Sequence, residues 1–122
     1  MLKIKNLNVT YPDGTIAVND FSLEVKDGEH VALIGANGAG KSSLMLAIEG
    51  LIESTGVIQA DNIVLSKKTV ADIRRNVGML FQNPDDQLFM ATIYDDIAFG
   101  PRNMGLDEQS VKYRVEDRLK LL

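Results

Sequence analysis

The chain has 122 residues, 45% of them apolar and 25% charged, with a formal net charge of −4. That balance describes one ordinary globular chain rather than a disordered one, and the acidic excess argues against a nucleic-acid footprint. There is no cysteine, which excludes disulfides and thiolate metal sites, and the longest aliphatic run, Leu44 to Ile48, cannot span a bilayer.

The chain opens on Met1-Leu2-Lys3-Ile4-Lys5-Asn6, which lacks the apolar h-region of a signal peptide. If a membrane matters here, another chain supplies it. Residues 2–9 alternate well enough to predict a half-buried strand. Tyr11-Pro12-Asp13-Gly14 predicts a turn, and Ile16–Val25 a second strand with Phe21, Leu23 and Val25 on one face. Tyr11 itself has two readings, an aromatic packing at a strand end or a ring face offered to a nucleobase. Asp27-Gly28 is a hairpin-type turn. It delivers the chain to Val31-Ala32-Leu33-Ile34, an apolar run that reads as a buried strand. His30, the only histidine, falls on that strand and has no metal-ligand partners in the pattern.

The next stretch organises the rest. Gly35-Ala36-Asn37-Gly38-Ala39-Gly40-Lys41-Ser42, followed by Ser43, fits the phosphate-binding pattern G-x-x-x-x-G-K-[ST]. Such a loop must aim several backbone N–H groups at one polyphosphate, and glycine removes the Cβ that would block the approach. It then enters a helix N-terminus, where free N–H groups and the positive dipole end favour an anion. Lys41 is placed to reach the outer phosphates and Ser42 to ligate Mg²⁺. Leu44-Met45-Leu46-Ala47-Ile48 supplies good helix formers after the loop. Strand, glycine loop and helix make the context the motif requires. The glycines run G-x-x-G-x-G with Lys-Ser directly after, which excludes the dinucleotide fingerprint.

Beyond the helix, Ser54-Thr55-Gly56 marks a turn, and residues 57–65, broken by Asp61-Asn62, predict a short hairpin. Residues 69–75 read as a helical turn. Val77-Gly78-Met79-Leu80-Phe81 predicts a buried strand that ends in the polar loop Gln82-Asn83-Pro84-Asp85-Asp86-Gln87. Thr92 with Asp95 resembles a capping box for a short helix carrying Ile93, Ile97 and Ala98, stopped by Gly100-Pro101. Asp107 caps a last helix in which Val111, Val115, Leu119 and Leu122 recur at helical spacing. Glu108–Lys112 and Glu116–Lys120 are i,i+4 pairs on its solvated face.

Taken in order, Tyr11, the loop from Gly35 to Ser43, and Phe81-Gln82-Asn83-Pro84 resemble the ATP-binding subunit of an ABC transporter. The run from Phe81 to Phe89, with Asp95-Asp96-Ile97-Ala98-Phe99-Gly100-Pro101-Arg102-Asn103, is similar to the energy-coupling-factor and cobalt-uptake branch, which imports metal ions and vitamins. The resemblance implies an α/β fold, a P-loop NTPase core with an N-terminal antiparallel part, present as the N-terminal half only. It divides the chain into an antiparallel lead-in (1–30), part of the phosphate-loop core (31–82), and a glutamine loop with the start of a helical subdomain (83–122). The implied cofactors are ATP and Mg²⁺. Tyr11 would stack on adenine, Gly35, Ala36, Asn37, Gly38, Ala39, Gly40, Lys41, Ser42 and Ser43 would hold the phosphates, and Ser42 and Gln82 would touch Mg²⁺. The implied partners are a second ATP-binding subunit and an integral membrane transport subunit, met by residues 83–102 at the cytoplasmic face of the membrane, and no nucleic acid.

The chain departs from that family in what it lacks. It has no Leu-Ser-Gly-Gly-Gln signature, no apolar strand ending in Asp with a following Glu, and no later switch histidine. The resemblance then implies binding at most, and an apolar sheet face and edge left bare. Two other classes stay open: a different P-loop enzyme, for which neither D-x-x-G nor N-K-x-D is present, and a non-catalytic binding module or truncated remnant.

Overall fold

In a computed structural model the described residues are 1–121. They form two compact units, Met1–Met79 and the segment from Leu80 onward.

The first unit is built on an antiparallel sheet. Strands β1 (Leu2–Thr10), β2 (Ile16–Val25), β3 (Thr55–Ala60) and β4 (Ile63–Val64) lie in the order β2-β1-β3-β4. The hairpins anticipated at 11–14 and at 61–62 are present, whereas Asp27-Gly28 turns the chain but leads into no second strand. Tyr11-Pro12-Asp13-Gly14 turns β1 into β2, closed by Gly14 N–H donating to the Tyr11 carbonyl at 2.9 Å, and Asp61-Asn62 turns β3 into β4. Strict alternation would not put Ile4 and Leu7 on one face, yet both are buried, with Val9. Asn6 resolves the conflict by adopting φ 48°, and Asp20 on β2, to which it is bonded, also has φ 48°. The Asn6 side-chain amide donates to the Asp20 carboxylate at 2.7 Å, and the Asp20 N–H donates to the Asn8 side-chain oxygen at 2.8 Å. Both residues are of the types that tolerate the left-handed region. The paired irregularities let Ile4, Leu7, Val9 and Val18 face the same core.

Helix α1 (Lys41–Ile48) covers that face with Leu44, Ala47 and Ile48, which pack with Ile4, Leu7, Val9, Val18 and Ile58. Burying each large aliphatic side chain contributes about 1.5–3 kcal/mol. The helix closes in a Schellman turn: Gly50 N–H donates to the Ala47 carbonyl at 3.0 Å and Leu51 N–H to the Leu46 carbonyl at 2.9 Å. Helix α2 (Val70–Asn76) buries Ile73, and its Arg74 donates to the carbonyls of Glu49 and Gly50 at 3.0 and 3.3 Å. A cation at the carbonyl end of α1 is favourable electrostatically.

The second unit holds a single turn of 3-10 helix (Pro84–Asp86), α3 (Ile93–Asn103) and α4 (Glu108–Leu119). Ala98, Val111 and Val115 make its small core. Thr92 caps α3 by accepting from Asp95 N–H at 3.1 Å, and Asp107 caps α4 by accepting from Ser110 N–H at 3.0 Å. Both caps are where the sequence puts them. Leu122 lies outside the described residues.

Four expectations are corrected. Residues 31–34 and 77–81 form no strand; Ile34 is 92% exposed and Leu80 86%. An apolar run marks chain that favours burial, but a strand needs a ladder partner, and the sheet offers them none among the described residues. The core strand carrying His30 is therefore not formed, and His30 is exposed in irregular chain. Gly100-Pro101 does not stop α3, which runs on to Asn103. Proline removes the bond to the Ile97 carbonyl, but so near the helix end the ladder resumes with Met104 N–H to the Gly100 carbonyl at 3.0 Å. The charges of α4 pair differently: Glu108 takes Arg102 and Glu116 takes Lys112. Arg102 offers a planar fork that a lysine one turn along the helix cannot match.

Candidate phosphate-binding site

The loop that follows Ile34 is irregular until Gly40, the residue before α1. Gly38 and Gly40 both have φ 84°. At Gly38 a Cβ would meet only open space, so that glycine serves backbone conformation and approach from outside. Gly40 differs: a Cβ there would run into the Ala17 carbonyl oxygen of β2. The last glycine of the motif is thus fixed by the sheet behind the loop, a role the sequence pattern does not reveal.

Gly35, Ala36, Asn37, Gly38 and Ala39 are exposed, Gly40 and Lys41 half-buried, Ser42 exposed and Ser43 buried. The structure brings these residues together in one turn of chain, with Tyr11 beside them. Lys41 arches back over the loop, its ammonium donating to the carbonyls of Gly35 and Ala36 at 2.7 and 2.6 Å. An ammonium has three N–H donors, so one remains. Tyr11, half-buried at the end of β1, places its hydroxyl 2.9 Å from Ser43 Oγ. This contact joins residues 32 positions apart, and nothing in either local sequence signals it.

The start of α1 suits an anion. Gly40 provides no side-chain cap, and the first turn holds no acidic residue. Each other described α-helix carries Asp or Glu in its first turn. The N–H groups of Lys41, Ser42 and Ser43 precede the first bond of the ladder, Leu44 N–H to the Gly40 carbonyl at 2.9 Å. A positive helix end without a resident carboxylate, one lysine and two hydroxyls form a donor set that fits a Mg²⁺-bound polyphosphate. Behind the loop lies a small cavity of about 220 Å³ lined by Val18, Phe21, Leu33, Ile34 and Leu44. Asn19, Gly40 and Lys41 also line it, so the lysine of the loop stands at its edge.

Gln82 belongs to the second unit, where it is exposed in a bend just before the 3-10 turn. Asn83 shapes that turn by accepting from Asp85 N–H at 3.3 Å. Further on, the Asp96 carboxylate accepts from the N–H groups of Phe89 and Met90 at 3.2 and 3.1 Å. Phe89 meets Phe99 edge-on, with ring centroids 4.8 Å apart. Leu88, Phe89 and Ile93 remain exposed on this unit.

The ABC transporter family profile matches residues 18–121. This chain belongs to the ABC transporter family. Among relatives of this ABC transporter chain, the energy-coupling factor transporter ATP-binding protein EcfA of Methanosphaera stadtmanae is 48% identical over 98% of the chain, which covers 44% of that protein. Among solved structures, cbiO1 from Clostridium perfringens, part of the ABC transporter complex cbiONQ, is 40% identical with a TM-score of 0.78, over 98% of this chain and 49% of that one. The dimeric bacterial ABC transporter cassette MJ0796 is 28% identical with a TM-score of 0.82, over 98% of this chain and 55% of that one. The chain thus spans about half the length of the relatives it matches. Its α/β fold with an antiparallel lead-in is that of the ABC cassettes, present in part.

Proposed function

We propose that this chain supplies the ATP-grasping part of an ATP-binding subunit that drives uptake of a metal ion or vitamin through a membrane partner. The observation that carries the proposal is the loop: an uncapped, acid-free start to α1 beside an ammonium folded over Gly35 and Ala36. In this reading the backbone of Gly35, Ala36, Asn37, Gly38, Ala39 and Gly40 cradles the phosphates, Lys41 pairs with the outer ones, and Ser43 holds the inner one. Tyr11 offers its ring to the adenine. Ser42 is a Mg²⁺ contact; the metal, when bound, would supply charge neutralisation of the polyphosphate.

The residues themselves bind and orient. The 122-residue sequence contains no Leu-Ser-Gly-Gly-Gln signature and no apolar strand ending in Asp followed by Glu. Hydrolysis therefore belongs to an assembly in which a second ATP-binding subunit and the rest of the cassette take part. Support for a membrane partner comes from the second unit, where Asp96 holds the Phe89 and Met90 backbone while Leu88, Phe89 and Ile93 stay exposed. No helix among the described residues is long and apolar enough to cross a membrane; in this reading the likeness to transporter ATP-binding proteins puts the chain at the cytoplasmic face as a peripheral component. The likeness to EcfA of Methanosphaera stadtmanae, an energy-coupling factor transporter ATP-binding protein, supports this assignment.

The test is a titration of the full chain with a fluorescent ATP analogue and Mg²⁺, alongside Lys41→Ala. Saturable binding that the substitution abolishes is the expected result. No saturable binding by the unsubstituted chain, together with a non-cooperative melt, overturns the proposal.

A further inference from the structure

We propose that the Tyr11 hydroxyl, separately from its ring, is a positioning group that sets the Ser43 hydroxyl for phosphate binding. The inference rests on the nucleotide reading of the loop and goes beyond it, because it assigns a role to an oxygen just beyond β1 rather than to any residue of the phosphate loop.

The geometry is direct. Tyr11 follows the last residue of β1, Ser43 sits in the first turn of α1, and their hydroxyl oxygens are 2.9 Å apart. Ser43 is 9% exposed, so solvent does little to satisfy it. Either hydroxyl can donate, but a phenol is the stronger donor of the two, and the alkyl oxygen the better acceptor. With Tyr11 donating, the Ser43 hydrogen is released for a third group. Chained hydroxyls also strengthen one another, so a serine that accepts from a phenol donates more strongly to an anion.

Serine needs this help. A helical serine can turn its hydroxyl back onto a carbonyl of the preceding turn, which takes it out of service as a donor. It has no β-methyl to limit χ1, whereas threonine is stiffer there. The bond to Tyr11 holds the rotamer from outside the helix. Tyr11 in turn is anchored on the backbone: its N–H donates to the Thr15 carbonyl at 2.8 Å, and its carbonyl accepts from Gly14 N–H at 2.9 Å. The β1–β2 turn thereby fixes the phenol, and the phenol fixes the serine.

This separates two contributions of one side chain. The ring face acts on a base; the hydroxyl acts on a phosphate through Ser43. Tyr11→Phe keeps the first and deletes the second. The experiment measures affinities of the full chain for Mg²⁺-ATP and for Mg²⁺-tripolyphosphate, which has no base, by calorimetry. It uses the unsubstituted chain, Tyr11→Phe, Ser43→Ala, the double variant, Tyr11→Phe with Ser43→Thr, and Lys41→Ala as the loop control. Thermal melts of each accompany the titrations.

The expected result is that Tyr11→Phe weakens both ligands by a similar factor of about 3–10, the range for one hydrogen bond. The double variant is then no weaker than Ser43→Ala alone, and Ser43→Thr restores part of the loss in the Tyr11→Phe background. Tyr11→Phe leaving tripolyphosphate affinity unchanged, with Lys41→Ala still abolishing binding, overturns the inference and spares the nucleotide reading. A lowered melting midpoint without any change in affinity overturns it as well, since the bond would then be structural alone. Failure of the unsubstituted chain to bind either ligand overturns the nucleotide reading and this inference with it.

Discussion

Gly40 lies against Ala17 so closely that a side chain at residue 40 would have to share space with the Ala17 carbonyl oxygen. The contact holds the phosphate loop to β2 at the point where α1 begins. Gly40 also has φ 84°, a conformation that costs an L-residue energy even in open space. Gly40→Ala is therefore expected to destabilise the chain by about 3 kcal/mol or more, because strain and overlap with rigid backbone act together. Gly38→Ala, with the same φ and nothing near its Cβ, costs about 1 kcal/mol. Urea denaturation of the two variants side by side checks the difference; equal losses would remove Ala17 from the explanation.

Glu49 is 8% exposed and its Oε1 has no hydrogen-bond partner. Burial pushes its carboxyl above the ordinary value of 4.5, and the positive charge of Arg74 only partly opposes that. A carboxyl that holds its proton more tightly when folded makes the folded state bind more protons than the unfolded one. Stability from this group is then present at low pH and lost as pH rises from 4.5 through the higher folded value. Glu49→Gln removes the charge while keeping the shape, and is expected to gain about 1 kcal/mol at neutral pH and little at pH 4. Denaturation curves at the two pH values decide it.

Asp95 has the opposite sign. Its hydrogen bond from Thr92, and then that from Arg102, hold its carboxyl below the ordinary 3.8. The folded state sheds its proton more readily, so the stabilisation is present above 3.8 and lost as pH falls through the lower folded value. Arg102 also reaches Glu108 at 3.0 Å, joining α3 to the start of α4. Arg102→Gln is expected to lower the melting midpoint of the chain at pH 6 and to flatten its acid dependence below pH 4. Circular-dichroism melts across that range provide the check; an unchanged acid profile would show that Thr92 alone sets Asp95.

How much of this could be read from the chain alone depends on where the information sits. Thr92 and Asp107 cap their helices because the capping bond is made within a few residues, and the hairpin at Asp61-Asn62 is equally local. Lys41 and the glycines of the loop are legible because the motif is contiguous. Tyr11 meeting Ser43 and Ala17 meeting Gly40 were not, since each pairing joins distant parts of the chain. Residues 31–34 and 77–81 misled for a related reason. Their apolar character reports a preference for burial, whereas a strand also requires a neighbour, which no local pattern supplies.

Those two runs make a prediction of their own. Ile34 at 92% exposure and Leu80 at 86% gain little from folding in this chain. Ile34→Ser and Leu80→Ser should each leave the denaturation midpoint within about 0.5 kcal/mol of the parent, as for ordinary surface positions. Both should raise the concentration at which the chain stays monodisperse in light scattering, because exposed apolar side chains promote association. A loss of several degrees in the melt would overturn the prediction and mean that these side chains are packed in the folded chain.

The paired left-handed residues Asn6 and Asp20 work as a key and its ward. A hairpin of smooth alternating strands has near-equivalent slipped forms two residues away, each keeping the same side chains on the same face. In β1 and β2 such a slip would put the kinked residue of one strand against regular chain in the other and break the Asn6–Asp20 bond. Only one alignment closes. The search for the native hairpin is thereby relieved of its nearest decoys, and the strand that precedes Tyr11 reaches the loop in a single setting.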